Sequence, residues 1–149
     1  MGYRKVLLPV CGKDHLERAK PALEHALQIV REDGELCFFH CVEVVPYLIA
    51  GEAHKRLVRE DAREEEKLIA PLVQRANDAG IACRVHIEEG SPAMHISKFA
   101  TEEKFDVIVM FTGERNELGE LIGKLVMGGI AERVLHSTSI PVLIVRSVA

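Results

Sequence analysis

The chain has no tryptophan, two tyrosines and five phenylalanines, and its net charge is only −4 over 149 residues. Proteins that hold duplex or single-stranded nucleic acid usually present a basic face with stacking aromatics. With neither, nucleic acid is not an expected partner. Long apolar runs are missing too. The most apolar stretch, Leu36 to Ala50, is interrupted by His40, Glu43 and Pro46, whereas a bilayer span takes ~20 apolar residues. No membrane insertion is expected. The run Val6 to Val10 behind Met1-Gly2-Tyr3-Arg4-Lys5 is shorter than the ~7–15 apolar residues of a secretory signal. Val6 also stands where a myristoylation pattern needs Ser or Thr. Cysteines are few (Cys11, Cys37, Cys41 and Cys83) and do not suggest a disulfide scaffold. These absences make the cytoplasm the expected compartment.

What is present fits a single domain spanning residues 1–149. Apolar residues are 48% and charged residues 28% of the chain, so disorder is excluded and a core can be buried without staples. Short apolar runs alternate with longer amphipathic segments. Strands are expected at 4–10, 35–45, 81–88, 106–111 and 142–145. Helices are expected from Asp14 to about Arg31, over 52–79, from Pro92 to about Glu103, over 118–127 and from Ile130 to His136. Asp33-Gly34 should end the first helix, and Gly80 the second. Pro21 should kink the first helix and Pro71 bend or split the second. Ser91 is the expected cap of the third, with Pro92 at its first position.

Strands alternating with helices imply a mostly parallel sheet covered on both faces. Ligands of such sheets bind beyond the carboxyl ends of the strands. The chemistry should therefore lie within residues 11–15, 41–47, 88–92 and 111–130.

Few residues there form a catalytic pattern. Cys11-Gly12 precedes a helix, where a thiol can become reactive, but a Cys-x5-Arg phosphatase turn would need Arg at position 17. Glu17 stands there, and Arg18 is one residue late. Cys11 therefore reads as a buried thiol. Cys37, His40 and Cys41 are close in sequence, yet the period of two puts His40 on the opposite face from the two cysteines. No metal is expected from them. If the first two strands are neighbours, Cys11 and Cys41 both lie near the ligand end, a redox pair without Cys-x-x-Cys spacing. Glu64-Glu65-Glu66 reads as a solvated helix face. A receiver-type signalling domain would need an acidic pair after strand one, where Cys-Gly-Lys-Asp stands. Gly128-Gly129 before the last helix is the clearest small-molecule signal, since glycines let backbone N–H groups reach phosphate oxygens at a helix start.

Several pieces then come in a recognisable order: Val6-Leu7-Leu8-Pro9-Val10, Phe39-His40-Cys41-Val42, Glu89-Gly90-Ser91-Pro92-Ala93, Asp106-Val107-Ile108-Val109-Met110, Gly129 to Leu135, and Ser139 to Val145. Together they resemble the universal stress protein family over nearly the whole chain. The resemblance implies a five-stranded parallel α/β sheet of order 3-2-1-4-5 with helices on both faces, Rossmann-like or flavodoxin-like. It also implies a homodimer paired through the last strand, Val142, Leu143, Ile144 and Val145.

The family divides into ATP-binding and non-binding members. Binders share a Gly-x2-Gly-x9-Gly-Ser/Thr motif after strand four, and usually an Asp that ends strand one. Here Cys11 replaces the Asp, Phe111 follows Met110 where the first Gly is usual, and Gly129 replaces the Ser/Thr. Gly113 and Gly119 do not restore the spacing to Gly128. Glu114, Glu117 and Glu120 add negative charge to the loop. Each loss is worth ~1–3 kcal/mol, enough together to move a micromolar site to millimolar. The candidate cofactor-binding residues that follow are Val10, Cys11, Gly12, Cys41, Met110, Phe111, Gly113, Gly128, Gly129 and Ile130, with ATP or AMP as the ligand and no metal. Two functions fit: a non-catalytic stress-response regulatory or interaction module with a weakened or lost ATP site, and an ATP/AMP sensor with a rebuilt phosphate loop.

Overall fold

A computed structural model describes residues 2–11, 15–42, 51–111 and 129–146. Its elements run β1 (Tyr3–Pro9), α1 (His15–Ile29), β2 (Val30–Val42), α2 (Glu52–Asp78), β3 (Ala82–Glu89), α3 (Pro92–Glu102), β4 (Val107–Phe111), α4 (Gly129–Ser137) and β5 (Val142–Val145). The five strands form one sheet of order β3-β2-β1-β4-β5, and every neighbouring pair is parallel. The expected fold class is therefore the observed one. The expected helix over 118–127 lies outside the described residues, as do Gly12, Gly113 and Gly128.

Strand alternation builds two cores. Val6, Leu8, Val10, Leu36 and Phe38 point to one face, where Ala19, Leu23 and Ala26 of α1 and Ile69, Leu72 and Ala76 of α2 cover them. Leu7, Cys37, Phe39, Cys41, Ile108 and Met110 point to the other. There Ala93, Ile96, Phe99 and Ala100 of α3 and Ala131 and Val134 of α4 close over them. The helical spacing of these residues and the period of two in the strands meet at the same interfaces.

Both helix prolines lie inside uninterrupted helices, so α2 runs 27 residues through Pro71, and α1 continues through Pro21. Each proline is exposed, so water can take up the carbonyl that loses its helical partner. The first helix ends earlier than expected, at Ile29, and Val30 already pairs with Tyr3. The register between β1 and β2 then slips between Tyr3 and Lys5. Gly34 allows this irregularity, because a Cβ there would stand 2.7 Å from the Arg4 carbonyl oxygen.

Asp106 ties the start of β4 to β1. Its Oδ2 accepts from the backbone N–H groups of Arg4 (3.2 Å) and Lys5 (2.9 Å). Its own N–H donates to the Lys5 carbonyl at 2.9 Å. This knot fixes how far β4 reaches, and hence where its carboxyl end stands relative to β1.

Phe39 is fully buried; it stacks on the His86 ring with centroids 5.6 Å apart and meets the Phe99 ring at a tilt with centroids 5.2 Å apart. Truncation to Ala should cost ~3–5 kcal/mol through lost transfer energy and a residual cavity. Urea unfolding of Phe39→Ala measures this, and a loss below ~1 kcal/mol would mean that the α3 face can collapse into the gap.

Candidate functional site at the carboxyl ends of the strands

The chain leaves β1 toward β2 on one side, and β4 lies on the other. The strand order therefore reverses between β1 and β4, the place where open parallel sheets form a crevice. Val10 follows β1 and is fully buried. Its N–H donates to the Phe39 carbonyl at 2.8 Å, which carries the ladder one step past the strand. Its carbonyl accepts a hydrogen bond from His40 Nδ1 at 2.7 Å. A carbonyl can only accept, so the proton sits on Nδ1. On its other side, His40 Nε2 faces Glu65 Oε2 of α2 at 3.6 Å.

Glu65 was expected in a solvated run with Glu64 and Glu66. Those two are exposed, but Glu65 is half-buried. Positions 65, 69, 72 and 76 share the stripe that carries Ile69, Leu72 and Ala76, and that spacing was the available signal. His40 does point away from Cys37 and Cys41, which belong to the opposite core.

Cys11 is half-buried and Cys41 buried. Burial pushes the Cys11 thiol up to about 11; the Cys41 backbone amide offsets part of this, while Glu65 adds to it. Burial pushes Cys41 up to about 12, with Cys11 and Glu88 adding to it. Both thiols are protonated at neutral pH, so neither is an activated nucleophile. Met110 is buried in the same core as Cys41. Phe111 is half-buried, ends β4 and pairs with Val145. Gly129 and Ile130 open α4. Among the described residues, a Cβ on Gly129 would meet nothing within 4 Å. Among the described residues, no group of three or more His, Cys, Asp or Glu could hold a metal ion.

A second polar cluster, which sequence reasoning missed, sits at the end of β3. Glu88 accepts from His86 Nε2 at 2.8 Å through Oε1 and from His95 Nδ1 at 2.7 Å through Oε2. The His86 ring stacks on Phe99 with centroids 4.1 Å apart. His54 of α2 donates to Glu89 at 2.6 Å. Beside them lies an open cavity of about 320 Å³ that Lys98, Phe99 and Glu102 help to line. Gly90 makes this arrangement possible. Its φ is +135°, and a Cβ there would stand 2.4 Å from His95 Nε2. The histidines are scattered in sequence, and only the β3–α3 turn brings His86 and His95 onto one carboxylate.

An open parallel sheet with helices on both faces, whose strand order reverses between β1 and β4, defines an α/β domain of the doubly wound class. Within that class, a model of the universal stress protein family matches residues 2–146, and the chain belongs to this family. The universal stress protein MJ0531 of Methanocaldococcus jannaschii is 32% identical over 148 residues, covering 97% of this chain and 82% of the relative. Among solved structures, the hypothetical protein MJ0577 superposes with a TM-score of 0.78 at 24% identity, covering 99% of both chains. A universal stress protein family protein from Arabidopsis thaliana with AMP bound matches at 18% identity and a TM-score of 0.63. That match covers 97% of this chain and 93% of the other. The two structural likenesses establish the fold.

The Glu88 cluster gives a pH signature. Partial burial pushes the Glu88 carboxyl up, but the hydrogen bonds from His86 and His95 outweigh it, and the net shift is downward. The folded state therefore favours ionised Glu88. That contribution is present above the unfolded carboxylate pKa and is lost as pH falls through the lower native value. As pH falls from about 5 to about 2, wild-type protein should lose more stability than Glu88→Gln, read from urea midpoints. Equal losses would leave the two histidine contacts without energetic weight.

Proposed function

We propose that this chain is a non-catalytic regulatory module of a stress response, placed in the cytoplasm, whose strand-end crevice holds an adenine nucleotide more weakly than the family's ATP-binding pattern implies. The observation that carries this reading is Cys11. A half-buried, protonated thiol stands where the family's binders usually have a carboxylate. A thiol is a weak acceptor, so hydrogen bonds from a ribose or base lose their partner there. Among the described residues, burial keeps the Cys11 and Cys41 thiols protonated, which agrees with a role without thiol chemistry.

One observation favours the sensor alternative. Among the described residues nothing stands within 4 Å of a Cβ on Gly129 at the first turn of α4, and N–H groups at a helix start attract phosphate. A family relative from Arabidopsis carries AMP. The same site in this chain would then keep a monophosphate through α4 alone.

The family resemblance also suggests a homodimer, and the two sheet edges support the last strand as its seam. β3 ends in charged and imidazole side chains, including Arg84, His86 and Glu88, which discourage pairing. β5 is Val142-Leu143-Ile144-Val145 with Leu143 exposed. Leu143→Lys should convert a dimer to a monomer in light scattering after size exclusion. A wild-type monomer would remove this part of the reading.

Two measurements test the nucleotide site. Denatured, freshly purified protein should release no stoichiometric nucleotide in mass spectrometry, and calorimetry with ATP or AMP should show no binding below millimolar ligand. Cys11→Asp should restore an acceptor and tighten AMP binding by roughly tenfold, since ~1.4 kcal/mol is one decade. Micromolar binding by the wild-type chain would instead make the sensor the correct reading.

A further inference from the structure

We propose that His40 and Glu65 form a proton-operated latch, which docks the middle of α2 on the strand ends and releases it as pH rises. The geometry of the ring carries this inference. His40 is buried, with 8% of its surface exposed. Its Nδ1 donates to the Val10 carbonyl at 2.7 Å, so that nitrogen holds a proton in the neutral ring as in the cation. Its Nε2 stands 3.6 Å from Glu65 Oε2. In a neutral ring Nε2 would carry a lone pair, and two acceptors would face each other. In an imidazolium Nε2 turns a proton toward the carboxylate, and the contact becomes attractive. The second proton decides whether the pair holds or repels.

α2 is sensitive to this contact because its apolar burial is uneven. Ile69, Leu72 and Ala76 are buried, and Arg75 grips Glu24 of α1 through two bonds of 2.7 and 3.0 Å. Among the described side chains from 52 to 68 none is buried, and His54, Leu57, Ala62 and Glu65 are half-buried. The N-terminal part of the helix is tied to the strands by imidazole–carboxylate pairs, Glu65 with His40 and His54 with Glu89 of β3. The two pairs differ in kind. His54 Nε2 reaches Glu89 at 2.6 Å, where a single N–H suffices, so a neutral ring keeps that bond. Of the two, His40 alone has its neutral-state proton committed elsewhere.

Docking is favoured at lower pH, because the docked pair holds the proton that a released, neutral ring gives up. It weakens as pH rises through the imidazole range, about 5–8. Ile87 stands beside His40 in the β3 register and brings no charge. At the end of β1 the Cys11 thiol feels the Glu65 charge and stays protonated, so the latch stands at the strand-end crevice. Proton loss from His40 leaves the Glu65 carboxylate against a lone pair, and rotation toward solvent relieves it.

The test uses the full chain without nucleotide, so its outcome is independent of the nucleotide site. Amide hydrogen exchange is followed at pH 6 and pH 8, with rates corrected for their intrinsic pH dependence. Amides 59–68 should lose roughly tenfold protection at pH 8 relative to amides 69–78 of the same helix. Glu65→Gln supplies an amide N–H that can donate to a neutral Nε2, so this variant should keep its protection at pH 8. Circular dichroism checks that it folds. Nitrogen-15 NMR of the unsubstituted chain gives a second readout. His40 should carry protons on both ring nitrogens while 59–68 are protected, and on Nδ1 only once that protection falls. Equal relative protection at both pH values, a loss in Glu65→Gln that matches wild type, or an unprotonated Nε2 in the protected state would overturn the proposal.

Discussion

The structure depends on the position of β1, which is hydrogen-bonded along both edges to parallel strands. β1 meets β2 through a run of paired residues from Lys5 to Pro9, and meets β4 at Val6 and Leu7. Where a strand is paired on both sides and covered on both faces it has no exposed surface, and there it must be apolar. Val6, Leu7 and Leu8 are completely buried for this reason. The same pairing sends the chain off in opposite directions from β1, and the crevice at its end is a consequence of that reversal. Asp106 sets the stagger on the β4 side by holding the Arg4 and Lys5 amides. The site inherits its geometry from these backbone contacts before any ligand-facing side chain is considered.

The end of β1 also links the sheet to α2. The Val10 carbonyl holds His40, and His40 faces Glu65. The side chain of a strand residue thus spans from the strand-end backbone of its neighbour to the covering helix. On the other face, α4 is tied to α3 by the Ser97 and Ser137 hydroxyls, 2.6 Å apart. Ser137 lies at the end of α4 remote from Gly129. The helix is therefore fastened at its carboxyl end.

Much of this was legible in the sequence, and the reasons differ from element to element. β4 and β5 could be placed because continuous apolar runs bounded by Asp106 and Pro141 have few alternatives. The start of α3 was plain in Ser91-Pro92, although Ser91 makes no side-chain cap bond. The start of β2 was not legible. Residues 30–34 carry the charges of a helix end and a turn, and they enter the sheet only because Tyr3 and a register slip receive them. Pro71 does not split α2, because an exposed internal proline costs less than the packing that the helix gains. Within the site, the alternation of β2 correctly separated His40 from Cys41. The partners Glu65 and Glu88 were hidden because each is chosen by tertiary contact. Glu88 meets His95 only through the Gly90 turn, and nothing local marks that meeting.

The two borders of the sheet differ in character, and this asymmetry limits how the molecule can grow. A sheet that is adhesive along both borders can add copies indefinitely, as an endless ribbon. Here one border carries Arg84, His86 and Glu88, while the other is a four-residue aliphatic strand. Joining two aliphatic borders about a twofold axis uses up both, and leaves only charged borders facing outward. Strand addition would then terminate at two copies, so the chain can carry a bare hydrophobic edge without the hazard of polymerisation.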